Sequence, residues 1–272
     1  MTLPIPLTDR AALNRNRMRA ADGDLFLQSA AADDVQDRLT MVNRTFKSPA
    51  VVTPFPAIWA DRIPGARIVA DDETLDLAPG AHDLVVHALG LHWANDPVGQ
   101  LIQCRRALSA DGLLIAVALG GQTLHELRSC LGQAEAALTG GLSPRVAPMG
   151  EVRDLGALLQ RAGLALPVAD SLPLQVEYRS MWHLMRDLRA MGEANAQSAR
   201  PRNVTRRALF HHAAELYAGH FAAAEERITA TFELITLTGW APDESQPQPL
   251  RPGSARQRLA DALATQENPL PD

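Results

Sequence analysis

The sequence predicts an α/β protein whose core is a parallel sheet covered by helices on both sides. Three observations predict it. The short runs Ala50–Val52, Arg67–Ala70, Asp83–Val86 and Leu113–Leu119 lack the polar alternation of a half-exposed sheet, as strands buried on both faces do. Helix-like segments alternate with them, the order that builds parallel sheets. A chain of 272 residues with 46% hydrophobic side chains also has enough apolar surface for a sizeable core, and 4% aromatics make that core Ala-, Leu- and Val-rich.

Taken in order, residues 8–47 read as helical, and 50–52 and 67–70 as strands, the second running into Asp71-Asp72-Glu73. The strand at 83–86 is followed by a helix over 96–108, a turn at Ala110-Asp111-Gly112 and the clearest strand, 113–119. Beyond Gly121 helices are expected over 123–138, 152–162, 181–193 and 205–226, with strands at 174–178 and 229–239. From Asp243 the chain is rich in Pro, Gln and Arg, with a possible helix over 255–264. This organisation divides into an N-terminal helical segment (1–48), an α/β domain (49–170), and a helical extension with a tail (171–272) that completes the same domain.

A net charge of −5 argues against a nucleic-acid protein. Lys47 is the single lysine, a coding bias that discounts arginine clusters as functional signals. The longest apolar run, 113–121, is too short for a membrane span, and no secretory leader is visible, so a cytoplasmic protein is expected. Cys104 and Cys130 lack CxxC spacing, which fits a reducing compartment and no metal. His211, His212, Glu215 and His220 share one helix without an HExxH pattern, so no metal site is assigned. The run Arg200, Arg202, Arg206 and Arg207 reads as a solvated linker or a dock for an acidic partner.

Ligands of open α/β sheets bind beyond the carboxyl ends of the strands. There this chain has Asp71, Asp72 and Glu73, then Leu91-His92-Trp93. An acid at that place accepts hydrogen bonds from a ribose or an adenine, and Trp93 supplies an apolar wall. Equally, the acids could cap a helix or stay solvated while His92 and Trp93 close the core.

The segment ARIVADDETLDLAPGAHDLVVHALGLHWANDPVGQLIQCRRALSADGLLIAVALGG resembles the second half of class I S-adenosylmethionine-dependent methyltransferases. More narrowly, GGQTLHELRSCL, TGGLSPRVAPMGEVRDLGALLQRAG, MRDLRAMGEANA and LTGWAPDESQPQPLRPGSA resemble the branch of the complex I assembly factor, beside the malonyl-carrier-protein methyltransferases. The resemblance implies a Rossmann-like methyltransferase fold and S-adenosylmethionine as cofactor. It implies an acid near the adenine at Asp71, a backbone N–H for the ring at Asp72, and a methionine arm lined by His87, Ala88 and Leu89, with His92 and Trp93 following. It also implies a respiratory complex I subunit as partner, the mitochondrial factor being understood to hydroxylate an arginine on one. The chain departs from the family pattern at His87 and Gly90, where small hydroxyl residues are usual, at Asp76-Leu77 in place of Pro-Phe, and at Gln122 in place of aspartate.

The stretch VVTPFPAIWADRIPG departs furthest. The family's first strand leads into a glycine turn, a helix and a second strand, but only the fifteen residues Thr53–Arg67 lie before the strand at Ile68. One crossover helix from Phe55 or Pro56 to Ile63 fits that length, so a helix–strand unit is expected to be missing and the N-terminal half shortened. Pro54 and Pro56 have fixed φ and no N–H, so they cannot copy a glycine cradle. Asp61 is a ribose-acid candidate by proximity alone. Two functions follow: a methyltransferase-like enzyme related to complex I assembly, or an assembly module that has lost its cofactor.

Overall fold

The computed structural model describes residues 6–20, 23, 25–247, 259–262 and 264–265. Met1–Pro242 form one compact unit and Asp243–Asp272 another. In the larger unit, helices α1 (Arg10–Arg17) and α2 (Phe26–Met41) precede strand β1 (Pro49–Val52). Then come α3 (Pro56–Ala60), β2 (Arg67–Val69), β3 (His82–Ala88), a 3-10 turn Leu91–Trp93, α4 (Pro97–Ala107) and β4 (Leu108–Leu119). The rest is α5 (His125–Thr139), α6 (Val152–Arg161), β5 (Ala165–Tyr178), α7 (Met181–Ala190), α8 (Arg207–His220) and β6 (Ile228–Trp240). In the second unit Leu259–Ala262 form α9, and the rest of the expected 255–264 helix, except Ala264, lies outside the described residues.

The strands form one sheet in the order β2-β1-β3-β4-β6-β5. β2, β1, β3 and β4 run parallel; β6 is antiparallel to β4, and β5 to β6. β1, with all four residues buried, is the geometric hub of the N-terminal half. It reaches β2 through α3 alone, so the inferred shortening is observed: no second helix–strand unit stands between them. Pro56 occupies the first turn of α3, where its missing N–H costs nothing.

Helices cover both faces. On one, Val51, Val86 and Val117 pack with Leu127 of α5, Leu184 of α7 and Tyr217 of α8. On the other, Val85, Leu114 and Ala116 meet Leu101 and Cys104 of α4 and Leu159 of α6. Two expectations are corrected. The turn at 110–112 lies inside β4, as an irregularity with Asp111 at φ 54°, because β3 and β4 pair on both sides of it. The strand expected at 174–178 starts at Ala165; its exposed residues hid it from a search for apolar runs. Among the described residues no helix is long and apolar enough to cross a membrane.

Candidate functional site

Helix α1 packs on the segments that follow β2 and β3, with Arg17 on Asp71 and Leu13 in one cluster with Trp93. Asp9 caps this helix by accepting from Ala12 N at 3.0 Å, and Asp9 N donates to Ala196 O at 2.8 Å. Asn16 Nδ2 donates to Ala194 O at 2.9 Å, while Thr8 N reaches Asn95 Oδ1 at 2.8 Å. The helix is thereby clamped between the acidic loop after β2 and the loop after α7. Gly192 permits the fit: its φ is +78°, and a Cβ there would lie 3.0 Å from Arg17 Cα.

Asp71 is buried under this helix. Arg17 Nη1 donates to its Oδ1 at 2.9 Å, and Arg10 Nη2 donates to its backbone oxygen at 2.7 Å. Gly90 leaves room for the carboxylate, since a Cβ would fall 2.8 Å from Asp71 Oδ2. Gly in place of the family's hydroxyl residue is therefore matched to this side chain. Asp72 is exposed, and its carbonyl accepts from Gln100 Nε2 at 2.6 Å. Glu73 accepts from Asn95 at 2.9 Å.

His87 Nε2 lies 3.2 Å from Gln100 Oε1, on the α4 face of the sheet. Burial lowers its pKa, partly opposed by the charge of Asp71. Ala88 and Leu89 face the opposite way, into the core. Leu89 also lines a cavity of about 10 Å³ with Gln28, Met191 and Glu193, room for one water. Trp93 Nε1 donates to Glu193 Oε2 at 2.7 Å, and His92 Nε2 sits 3.3 Å from the same oxygen. Burial raises the pKa of Glu193, but His92, Arg17 and Trp93 more than offset it, and the net direction is down.

Around this seam several buried polar atoms have no partner among the described residues: Arg17 Nε and Nη2, Asp71 Oδ2, His87 Nδ1, His92 Nδ1 and Gln28 Nε2. Such atoms mark water or ligand sites. An adenosyl cofactor nonetheless does not fit as the residues stand. The acid that would meet it is engaged by Arg17, and the first turn carries buried Phe55 and a Pro at 56 in place of glycine. No φ between residues 53 and 60 is positive. Asp61, the other candidate, is exposed at the end of α3.

The ligand-sized cavity lies next door, on the far side of Trp93. It measures about 280 Å³ and is lined by α5, α7, the start of α8 and the loops around Val146 and Ala194. Its wall is apolar, with Leu27, Leu127, Met185, Phe210 and Phe232, while Glu193 and Arg189 stand at its lining. One oxygen of Glu193 is taken by Trp93 and His92, and the other, Oε1, accepts no hydrogen bond from a described residue. Glu193 escaped the sequence reading because it follows a helix as one more polar residue; its single signal was the matching run 185–196.

The remaining candidates are dispersed. Cys104 and Cys130 are buried, free thiols, with burial raising their pKa values to about 12 and about 11. His212 lies 3.7 Å from Glu215, an ordinary helical pair, and among the described residues no cluster could hold a metal ion. Arg200 and Arg202 bind Asp9 at 2.9 and 3.3 Å.

No protein-family model matches the chain. The arginine-hydroxylase NDUFAF5, mitochondrial, of Danio rerio is 38% identical over 199 residues, which is 73% of this chain and 62% of that protein. The malonyl-[acyl-carrier protein] O-methyltransferase of Laribacter hongkongensis is 36% identical over 177 residues, 65% of this chain and 57% of that protein. The chain thus spans about three fifths of the length of the relatives it matches. Among solved structures, the YcgJ protein of Bacillus subtilis aligns over 79% of this chain and 99% of its own, at a TM-score of 0.49 and 10% identity. With a six-stranded α/β sheet, the chain is a homologue of the arginine hydroxylase NDUFAF5 and the malonyl-carrier-protein O-methyltransferases, and the likeness to that family spans 73% and 65% of this chain.

Proposed function

We propose that this chain is an enzyme of the hydroxylase branch of that family, acting during respiratory complex I assembly on an arginine side chain that a protein partner inserts into the 280 Å³ cavity. The observation that carries the reading is Glu193, a buried carboxylate in the lining; of the arginines that line the same cavity, Arg145 and Arg200 are paired with Glu135 and Asp9, and Arg189 is exposed. Glu193 presents a free carboxylate oxygen in an apolar wall, where a guanidinium would supply paired N–H donors and its stem would pack on Leu and Met. A malonyl group, the substrate in the other relatives' name, would bring a carboxylate against that same charge.

S-adenosylmethionine is the cofactor the family suggests, and Asp71, Asp72, His87, Ala88, Leu89, His92 and Trp93 are the positions proposed to face it. As the residues stand, Arg17 of α1 engages Asp71 in place of a ligand. A non-catalytic assembly role is the less favoured reading, since the relatives are named as enzymes.

Calorimetry with a short peptide holding either arginine or its uncharged analogue citrulline tests the proposal. The arginine peptide should bind about tenfold tighter, a difference of about 1.4 kcal/mol. That preference should vanish in Glu193→Gln. Equal binding of both peptides by the wild-type protein would rule out the arginine reading, and tighter binding of a malonyl thioester would favour the carrier-protein one.

A further inference from the structure

The sequence presents Arg200, Arg202, Arg206 and Arg207 as one basic run, but the fold splits it. Arg200 and Arg202 are spent on Asp9. Arg206 and Arg207, at the start of α8, are exposed, and their side chains make no hydrogen bond or ion pair with a described residue. Two further arginines on α7, Arg186 and Arg189, share that condition. With Trp182 they recur at i, i+4 and i+7, which places all three on one face of the helix, and all three are exposed.

This face borders the large cavity through Arg189. Arg189, Thr205 and Phe210 line the cavity itself, and the Trp182 ring packs at 6.1 Å from Phe210 and 5.5 Å from His211. Trp182 is nonetheless 43% exposed, and the neighbouring Val204 is 99% exposed. The acids of the two helices do not neutralise the arginines: Asp187 accepts from Tyr178 Oη at 2.6 Å, and Glu215 lies beside His212. In a chain of net charge −5, four unpaired arginines around an exposed tryptophan are a local excess of the opposite sign. Trp and Arg are also the side chains that carry most binding energy at protein interfaces.

We propose that the α7–α8 face docks an acidic segment of a protein partner, whose carboxylates pair with Arg186, Arg189, Arg206 and Arg207 on either side of the residue that enters the cavity. The identity of that inserted residue rests on the function proposed above; the acidic character of its flanks does not. Guanidinium–carboxylate pairs at such a rim steer encounter and set register more than they add affinity, so the binding weakens as salt rises.

The test is fluorescence anisotropy of short fluorescein-labelled peptides with a central arginine and flanks of Asp and Glu, or of Asn and Gln. The acidic peptide should bind more tightly, lose affinity with added salt, and lose about tenfold on Arg186→Glu with Arg189→Glu. Arg206→Glu with Arg207→Glu, a second exposed pair, should act in the same direction. Peptides of equal affinity whatever their flanks would overturn the proposal. So would a single-stranded oligonucleotide that displaces the acidic peptide and is itself lost with the same substitutions. Replacing the central arginine by glutamine separates the two ideas. If the flanks still matter and the centre does not, the docking face stands and the arginine pocket falls.

Discussion

Trp93 and His92 share one oxygen of Glu193, at 2.7 and 3.3 Å, and leave the second oxygen without a partner among the described residues. The pair links the strand-end seam to the large cavity, because Trp93 and Glu193 both line it. Glu193→Ala should strand the Trp93 N–H and the His92 ring, and is expected to cost about 3 kcal/mol in urea unfolding. Glu193→Gln keeps an acceptor for Trp93 and should cost less than half as much. If both variants unfold like the wild type, the buried cluster contributes nothing to stability.

The Arg17–Asp71 pair makes a second prediction. Arg17→Ala leaves a buried carboxylate without its main donor and should destabilise by about 3–5 kcal/mol; Asp71→Asn combined with Arg17→Ala should recover part of that. A double-mutant cycle by urea titration reads the coupling, and additive losses would show that the pair is not coupled.

With Arg17 of α1 holding Asp71, S-adenosylhomocysteine lacks its acid partner, so the melting temperature of the wild-type protein should not move with it. A ligand at a hundred times its Kd would add about 2.7 kcal/mol, a readily visible shift. Such a shift would show that α1 lifts from Asp71 in solution.

Gly192→Ala forces a Cβ onto a residue at φ +78° and brings it 3.0 Å from Arg17 Cα. The expected cost is about 1–3 kcal/mol, with faster amide hydrogen exchange confined to α1. An unchanged exchange pattern would mean that the loop after α7 does not hold this helix.

Acid should weaken the fold in two stages. The pKa of His87 is lowered from 6.5 by burial, so below that value the unfolded chain takes up a proton that the folded chain refuses, and stability falls with pH. Glu135, held by Arg145 and Ser143, and Glu193 have pKa values lowered from 4.5. Their contribution is present above that value and is lost as pH falls below it. Melting temperatures measured from pH 7.5 downward should therefore begin to drop near pH 6.5, and His87→Gln should remove the first stage while leaving the second. A first stage that survives the substitution would assign it to another group.

The strands at 50–52, 83–86 and 113–119 were legible because they are buried on both faces, and burial on both faces writes an unbroken apolar run, whereas edge strand β2 was legible from Ile68-Val69 although Arg67 is exposed. The missing helix–strand unit was legible from chain length alone, since fifteen residues cannot hold it. Edge strand β5 was mostly invisible, because an edge pairs through its backbone and leaves side chains free to be polar.

At the site, the sequence by itself determined which residues end the strands and that proline replaces glycine in the first turn, since both are local properties of the chain. Only the tertiary structure decided what those residues touch. Asp71 reads as a cofactor acid until Arg17, 54 positions earlier, closes on it. Glu193 becomes a buried charge only when the loop after α7 meets Trp93, 100 positions away. The physical reason is that burial and ion pairing depend on distances across the fold, which no local pattern of residue types contains.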